Sequence, residues 1–279
     1  MSIARLDNEV FFKKAFTDPV VFRAFVRDIV GIDVNPAIIE TEKAFQPKAG
    51  NVAFKYDIFA EDTQKRVIIE IQKVDYDYNF DRFLHYHLQA ITEQQRRAED
   101  YSIERTVYTI VVITAPYKLD KQTGEVLRDD VLISRLNPRN LRGVERDLFG
   151  HTLIYLNPNY ADSTTPANYR DWLTLIWESI HNADNPQVNL MNEGIRRATE
   201  LVQWDNLTPE EWEASKVEAG RRKVLVLKYE EGVEEGAARK ARQAAQNLLR
   251  LGKLTVAEIA ELLEISTEIV EEIRAEMNT

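Results

Sequence analysis

The chain reads as an α/β protein, a mixed sheet core flanked by helices and followed by an all-helical tail. Three observations predict this. Two apolar segments, residues 52–60 and 66–72, are joined by the polar stretch Glu61-Asp62-Thr63-Gln64-Lys65, short enough for a hairpin connection. A continuous apolar run at 106–114 follows a long helical stretch, the pattern of a central strand buried on both faces. From Pro209 onward the chain is mostly charged and helical.

Residues 8–30 carry Phe12, Phe16, Val20, Val21, Phe25, Val26 and Ile29 at helical spacing, with Gly31 as a stop. Asp18-Pro19 suggests a break or a fresh helix start within that stretch. Residues 36–45 form a first strand, and 46–51 a turn-rich loop leading into the strand at 52–60. After a loop at 73–77, residues 79–100 read as a long helix, and the strand at 106–114 follows. The order helix, three strands, helix, strand suits a mixed sheet covered by helices. Beyond a loop at 117–124 come a short strand at 151–156 and an apolar helix at 169–180. The tryptophans of that helix, Trp172 and Trp177, are expected in the core.

Strand side chains alternate, so Lys55 and Asp57 share one face of their strand, while Ile68, Glu70 and Gln72 share one face of theirs. In an antiparallel pair Asp57 and Glu70 then lie close together, where two carboxylates repel unless a cation sits between them. A glutamate inside Val67-Ile68-Ile69-Glu70-Ile71 is costly to bury unpaired. Its partner is either a structural cation such as Lys55 or an arginine, or a metal ion. On the following helix Arg82 and Tyr86 are four apart and share a face, suited to a bidentate phosphate contact and a phosphate or sugar hydrogen bond. The bland reading has Tyr86 packing on Phe83 and Arg82 pairing with Asp81 or Glu70. His85 and His87, two apart, face different sides of the helix and do not make a paired metal site.

These residues, in this order, resemble a known family. Glu9-Val10-Phe11-Phe12-Lys13-Lys14-Ala15-Phe16, then Asp57, then Glu70-Ile71-Gln72, then Phe80-x-Arg82-x-x-x-Tyr86, are similar to the recombination-promoting nuclease and transposase-type branch of the PD-(D/E)XK nucleases, over roughly residues 7–115. The resemblance implies a restriction-endonuclease-like core of the form αβββαβ and a metal-dependent DNA endonuclease tied to recombination or mobile elements. It implies that Asp57, Glu70 and the Ile71 carbonyl hold Mg²⁺, with Mn²⁺ as a substitute, and that Glu9 assists through water. Glu9 reads equally well as an acid favouring its own helix N-terminus. In the wider superfamily a lysine stands where this chain has Gln72. An amide positions water but is no base near neutral pH, so a metal-activated water suffices, Lys55 or Lys73 substitutes, or activity is weak. Of the two lysines, Lys55 shares the Asp57 face and is the better placed.

Composition limits the alternatives. Zero cysteines exclude disulfides, thiolate metal sites and cysteine nucleophiles. No apolar run approaches the roughly 18 residues of a membrane span, and Met1 to Asp7 lack a signal-peptide core, so a soluble, cytoplasmic protein is expected. The net charge of −10 argues against a general nucleic-acid binder. Residues 1–150 hold 22 Lys/Arg against 24 Asp/Glu, and residues 151–279 hold 14 against 22, so the acidity lies in the C-terminal half. A nuclease domain at 1–207 and a helical tail at 208–279 are therefore expected.

Within the tail, Gly232, Gly236 and nearby alanines make small-residue steps that would let helices approach closely. Short helices at 248–264 and 266–277, with Gly252 as a C-cap and Thr255 and Ser266 as N-caps, resemble a degenerate helix-turn-helix. Its last helix carries Glu268, Glu271, Glu272 and Glu276 against Arg274, which phosphates would repel. The tail is accordingly read as an oligomerisation module of a homo-oligomer. The rival to a nuclease is a non-catalytic, oligomerising interaction protein that retains the fold.

Overall fold

The computed structural model describes residues 2–45, 54–73, 80–95, 102–117 and 124–277. The expected loops at 46–51, 73–77 and 117–124, and the ends of the expected strand at 52–60 and helix at 79–100, lie wholly or partly outside the described residues. The chain divides into two compact units, Met1–Glu218 and Ala219–Thr279.

The first unit opens with two helices where the periodicity predicted one with a break. α1 (Glu9–Phe16) is capped by Asn8, whose side chain accepts from the Val10 N–H. α2 (Pro19–Val30) starts afresh because Asp18 caps it and Pro19, with no N–H to satisfy, stands in its first turn. Gly31 ends it at φ +78°, the left-handed conformation that glycine adopts without strain.

Among the described residues six strands follow: β1 (Ile39–Phe45), β2 (Phe54–Glu61), β3 (Lys65–Gln72), β4 (Thr106–Ile113), β5 (Val131–Arg135) and β6 (Thr152–Leu156). They form one mixed sheet in the order β1-β2-β3-β4-β6-β5. β1, β2 and β3 pair antiparallel, β3, β4 and β6 run parallel, and β5 closes the far edge antiparallel to β6. Among the described residues, α3 (Phe80–Thr92) lies in the crossover between the parallel strands β3 and β4. It ends at Thr92, short of the expected residue 100. The Gln94 side chain accepts from the Arg105 N–H at 2.8 Å and donates to the Arg105 carbonyl at 3.1 Å, and so leads the chain into β4.

The helices cover both faces. On one, Phe12, Phe16, Phe25 and Trp172 pack on Ile58, Val67, Ile69, Ile110, Val112 and Leu156. Trp172 belongs to α4 (Ala167–His181) and is fully buried, as expected, and it meets Phe25 edge-on at 5.0 Å. α5 (Glu193–Leu201) packs closely on α2: a Cβ at Gly194 would lie 2.4 Å from the Ala24 Cβ, so only glycine fits there. On the other face α3 packs Phe83, Ala90 and Ile91 against Ile68, Val107, Val111 and Tyr155. β4 is thus apolar on both sides, as its unbroken run required. Neither β5 nor α5 was expected from the sequence.

α6 (Pro209–Leu251) begins in the first unit, where Trp212 meets Phe11 edge-on at 5.5 Å. In the second unit the end of α6 packs with α7 (Val256–Leu263) and α8 (Thr267–Met277) around Ala245, Ile259, Ala260, Val270 and Ile273. Thr255 and Glu258 close a reciprocal capping box at the start of α7. Residues 248–251 are the last turn of α6 and not a separate helix. Among the described residues no helix is long and apolar enough to cross a membrane.

Candidate metal centre

Pairing of β2 with β3 runs from Glu61↔Arg66 to Ile58↔Ile69. Asp57 and Glu70 stand one step beyond the last pair, and there carboxylates take over from carbonyls as acceptors. The Asp57 N–H donates to Glu70 Oε1 at 3.2 Å, and the Ile71 N–H donates to Asp57 Oδ2 at 3.0 Å. A strand N–H left without a partner is costly to bury. The backbone therefore holds both acids in fixed orientation.

At the same level β1 is distorted. Its register with β2 passes from Thr41↔Ile58 to Lys43↔Tyr56 and leaves out Glu42, whose φ is +60°. Strict alternation also fails on β2, because Tyr56 packs beside Phe59 and Ile68 on the α3 face, with its hydroxyl donating to the Tyr86 carbonyl at 3.0 Å. From the opposite side α1 brings Glu9 and Lys13, one turn apart. One carboxylate oxygen each from Glu9, Glu42 and Asp57 lie within 4.8 Å of one another. The Lys13 ammonium pairs with Glu9 and Glu42 and lies 3.8 Å from Asp57 Oδ1.

Burial and like charge push both central acids up. Glu70 is only 3% exposed, and desolvation, then the neighbouring Asp57 carboxylate, raise its pKa well above the ordinary glutamate value. Asp57 is raised by burial, against the Ile71 N–H and Lys13, which lower it. Two acids kept reluctant to ionise in this way favour any added cation that would let them.

The other sequence candidates fall around this pair. Arg82 is exposed on α3; its Nε donates to the Tyr86 hydroxyl at 3.2 Å, and its guanidinium lies 5.2 Å from the Tyr86 ring centroid. Its charge lowers the pKa of both Asp57 and Glu70. Tyr86 also meets Phe83 edge-on at 6.5 Å. Gln72 is half-buried at the end of β3, and its carbonyl accepts from the Thr114 N–H at 2.9 Å. The Ile71 group seen to face Asp57 is its N–H. Lys55 is exposed and pairs with Glu42, whereas Lys73 pairs with the buried Asp7 at 2.7 Å. His87 is buried on α3 and bonds Thr109 through Nδ1 at 2.9 Å, well away from a histidine pair with the outward His85.

Lys13 and Glu42 were not singled out from the sequence. Lys13 had two usable signals, its place in the Glu9–Phe16 stretch that carries the family resemblance and its i,i+4 spacing from Glu9. Glu42 had none, because its position depends on a left-handed residue inside a strand.

The donor set suits a hard divalent cation. Glu9, Glu42 and Asp57 offer carboxylate oxygens only, with no imidazole or thiolate among them, which is the ligand chemistry of Mg²⁺ and Mn²⁺. Ligands of such an ion sit at about 2.0–2.1 Å from it, so oxygens within 4.8 Å need only small side-chain adjustments.

The mixed six-stranded sheet with helices on both faces is consistent with the PD-(D/E)XK nuclease fold. The family model for PD-(D/E)XK nuclease family transposases matches residues 37–224, and the chain belongs to that family. The match starts after α1 and α2, so Glu9 and Lys13 stand outside it, and it extends into α6. No curated protein and no solved structure matches the chain.

Proposed function

We propose that the protein is a metal-dependent DNA endonuclease, with a role in recombination or mobile-element movement as the resemblance implies. The observation that carries this reading is the convergence of Glu9, Glu42 and Asp57 within 4.8 Å, beside Glu70 bonded to the Asp57 N–H, in a chain of a nuclease family.

Asp57 would hold Mg²⁺ or Mn²⁺ together with Glu9 and Glu42, and Glu70 would complete the set on the side of the Asp57 backbone. A divalent ion there supplies acidity to a water and positive charge beside the scissile phosphate. The chain's own residues do the rest. The Ile71 N–H keeps the Asp57 carboxylate aimed. Arg82, steadied by Tyr86, offers N–H donors to a phosphate next to the cleavage point. Gln72 lies at the end of β3 two residues past Glu70, where its amide can orient a water without taking its proton.

Nicking of supercoiled plasmid with and without Mg²⁺ or Mn²⁺ tests the reading, with Asp57→Ala as the control that must be dead. One observation favours the rival interaction protein: Lys55 and Lys73, the two lysines available to replace the one absent at Gln72, are engaged by Glu42 and Asp7. An interaction protein would show no rise in Tm with either metal, whereas an ion binding only the native state must raise it.

A further inference from the structure

We propose that Lys13 is the resident counter-ion of the acid cluster and must be displaced from Asp57 before a divalent ion can bind there. The proposal rests on the metal-site reading above.

Position is the first argument. The Lys13 ammonium touches Glu9 and Glu42 and lies 3.8 Å from Asp57, so it stands among the same three carboxylates whose oxygens cluster within 4.8 Å. A cation and a metal ion cannot share that point. Confinement is the second. The Lys13 side chain is only 14% exposed, which is unusual for a lysine, and its helix is fixed beneath it by the buried Phe12 and Phe16. The ammonium is held at the cluster by a rigid element and does not merely visit it.

Charge shows what displacement involves. Three carboxylates beside Glu70, with Lys13 among them and Lys55 on Glu42, are still short of positive charge, so a divalent ion has a strong reason to enter. The three Lys13 contacts are unequal: Glu9 is its i,i+4 neighbour on the same helix, while Asp57 is its longest contact. Withdrawal from Asp57 and Glu42 therefore leaves Lys13 tethered to Glu9 at the edge of the site. Lys55 and Arg82 do not compete in this way, because Lys55 is exposed and pairs with Glu42, and Arg82 is exposed on α3 with its Nε on the Tyr86 hydroxyl.

Two measurements on the full-length chain test the proposal. The first is Mn²⁺ affinity by titration calorimetry or electron paramagnetic resonance, wild type against Lys13→Met, which keeps the apolar stem and removes the charge. The variant should bind Mn²⁺ at least about tenfold more tightly, a change of ~1.4 kcal/mol that loss of one unit charge at this range readily supplies. Its metal-free Tm should fall, since three carboxylates are left to repel. The second needs no variant: acetylation of wild-type lysines read by peptide mass spectrometry. Lys13 should be protected without metal and label several-fold faster with Mn²⁺, while Lys253 on the second unit stays unchanged. Mn²⁺ binding with unaltered or weaker affinity in Lys13→Met, or unaltered Lys13 labelling, would overturn the proposal and leave the nuclease reading standing. Binding by the variant alone would support it in its strongest form. Absence of Mn²⁺ binding by both proteins would sink the metal site itself, and this inference with it.

Discussion

The backbone N–H of Asp57 donates to the carboxylate of Glu70 at 3.2 Å, one residue past the point where the β2–β3 ladder ends. One acid therefore orients the strand that presents the other, at the cost of placing the buried Glu70 carboxylate beside the half-buried one of Asp57.

That cost predicts a trade between stability and activity at Glu70. Its folded-state pKa lies well above the ordinary value of 4.5. A carboxyl of this kind withholds ionisation in the folded state, so the protein loses stability as pH rises from the unfolded value through the folded one. Glu70→Gln removes the penalty and keeps an acceptor oxygen for the Asp57 N–H. The variant should melt higher than wild type at pH 8 in the absence of metal, and the difference should vanish toward pH 4.5. The same variant should lose metal-dependent nicking by roughly 10²-fold or more. A Glu70→Gln protein that melts lower at pH 8 would show that the charge stabilises the fold.

Arg82 is expected to act on DNA affinity. It is exposed, and its Nε donates across to the Tyr86 hydroxyl on its own helix. Arg82→Ala should weaken DNA binding across sequences and reduce the slope of log K against log[salt] by about one phosphate contact. Tyr86→Phe should do less, because it removes one steadying hydroxyl and leaves the charge. An unchanged salt slope would assign Arg82 to the acid pair alone.

What the sequence disclosed depended on whether the information was local. The β2–β3 pair, α3 and β4 were legible because alternation, a short polar connection and an unbroken apolar run each specify one environment. β5 was not, since Val131 to Arg135 is an edge strand with three exposed residues and carries no apolar rhythm. α5 was missed because Gly194 reads as a helix breaker, and its reason is the close approach of Ala24 in α2. Asp57 and Glu70 stood out as acids in apolar strands. The break of alternation at Tyr56 and the left-handed Glu42 have no signature in the residue pattern, so Glu9 could be expected beside Asp57 but the entry of Glu42 and Lys13 into that cluster was visible only in three dimensions.

A buried histidine on the opposite face should set an acid limit to stability. His87 is fully buried on α3, bonded to Thr109 and 6.4 Å from the ring of His151. Burial, and then His151, push its pKa down from 6.5 to about 4. A group whose folded pKa is depressed contributes stability that is present above its unfolded pKa and lost as pH falls through the folded value. Metal-free protein should therefore lose about 3 kcal/mol on this account between pH 6.5 and about 4. His87→Gln should flatten that part of the urea-midpoint profile, even if it is less stable at neutral pH. An equally steep acid limb in the variant would place the titrating group elsewhere, with His151, whose pKa is also lowered by burial, the next to examine.

The second unit is expected to mediate self-association and not to read DNA. Its small core of Ala245, Ile259, Ala260, Val270 and Ile273 leaves Leu251, Leu262 and Ile269 outside, at 64%, 63% and 43% exposure. Apolar side chains that a three-helix unit cannot bury are available to a second copy. Gly232 and Gly236 have open space at their Cβ positions, so the small-residue steps along α6 are also available for close approach. On α8, the helix that would have to enter a groove, Glu268, Glu271, Glu272 and Glu276 are all exposed, and Arg274 is paired with Glu271 at 2.6 Å. Phosphates would meet four acids and a committed arginine. The place of the cut matters for a test. Trp212 packs on Phe11, Glu211 pairs with Lys14 at 2.6 Å, and Glu218 accepts from Asn8 at 2.7 Å. A truncation before α6 would strip these supports from the helix that carries Glu9 and Lys13. Ending the chain after Glu218 keeps them. That shortened protein should run as a smaller assembly by multi-angle light scattering and should retain most metal-dependent nicking. Equal molar mass for the two proteins would remove the second unit from the interface, and sequence-specific DNA binding by residues 219–279 at physiological salt would reverse the assignment altogether.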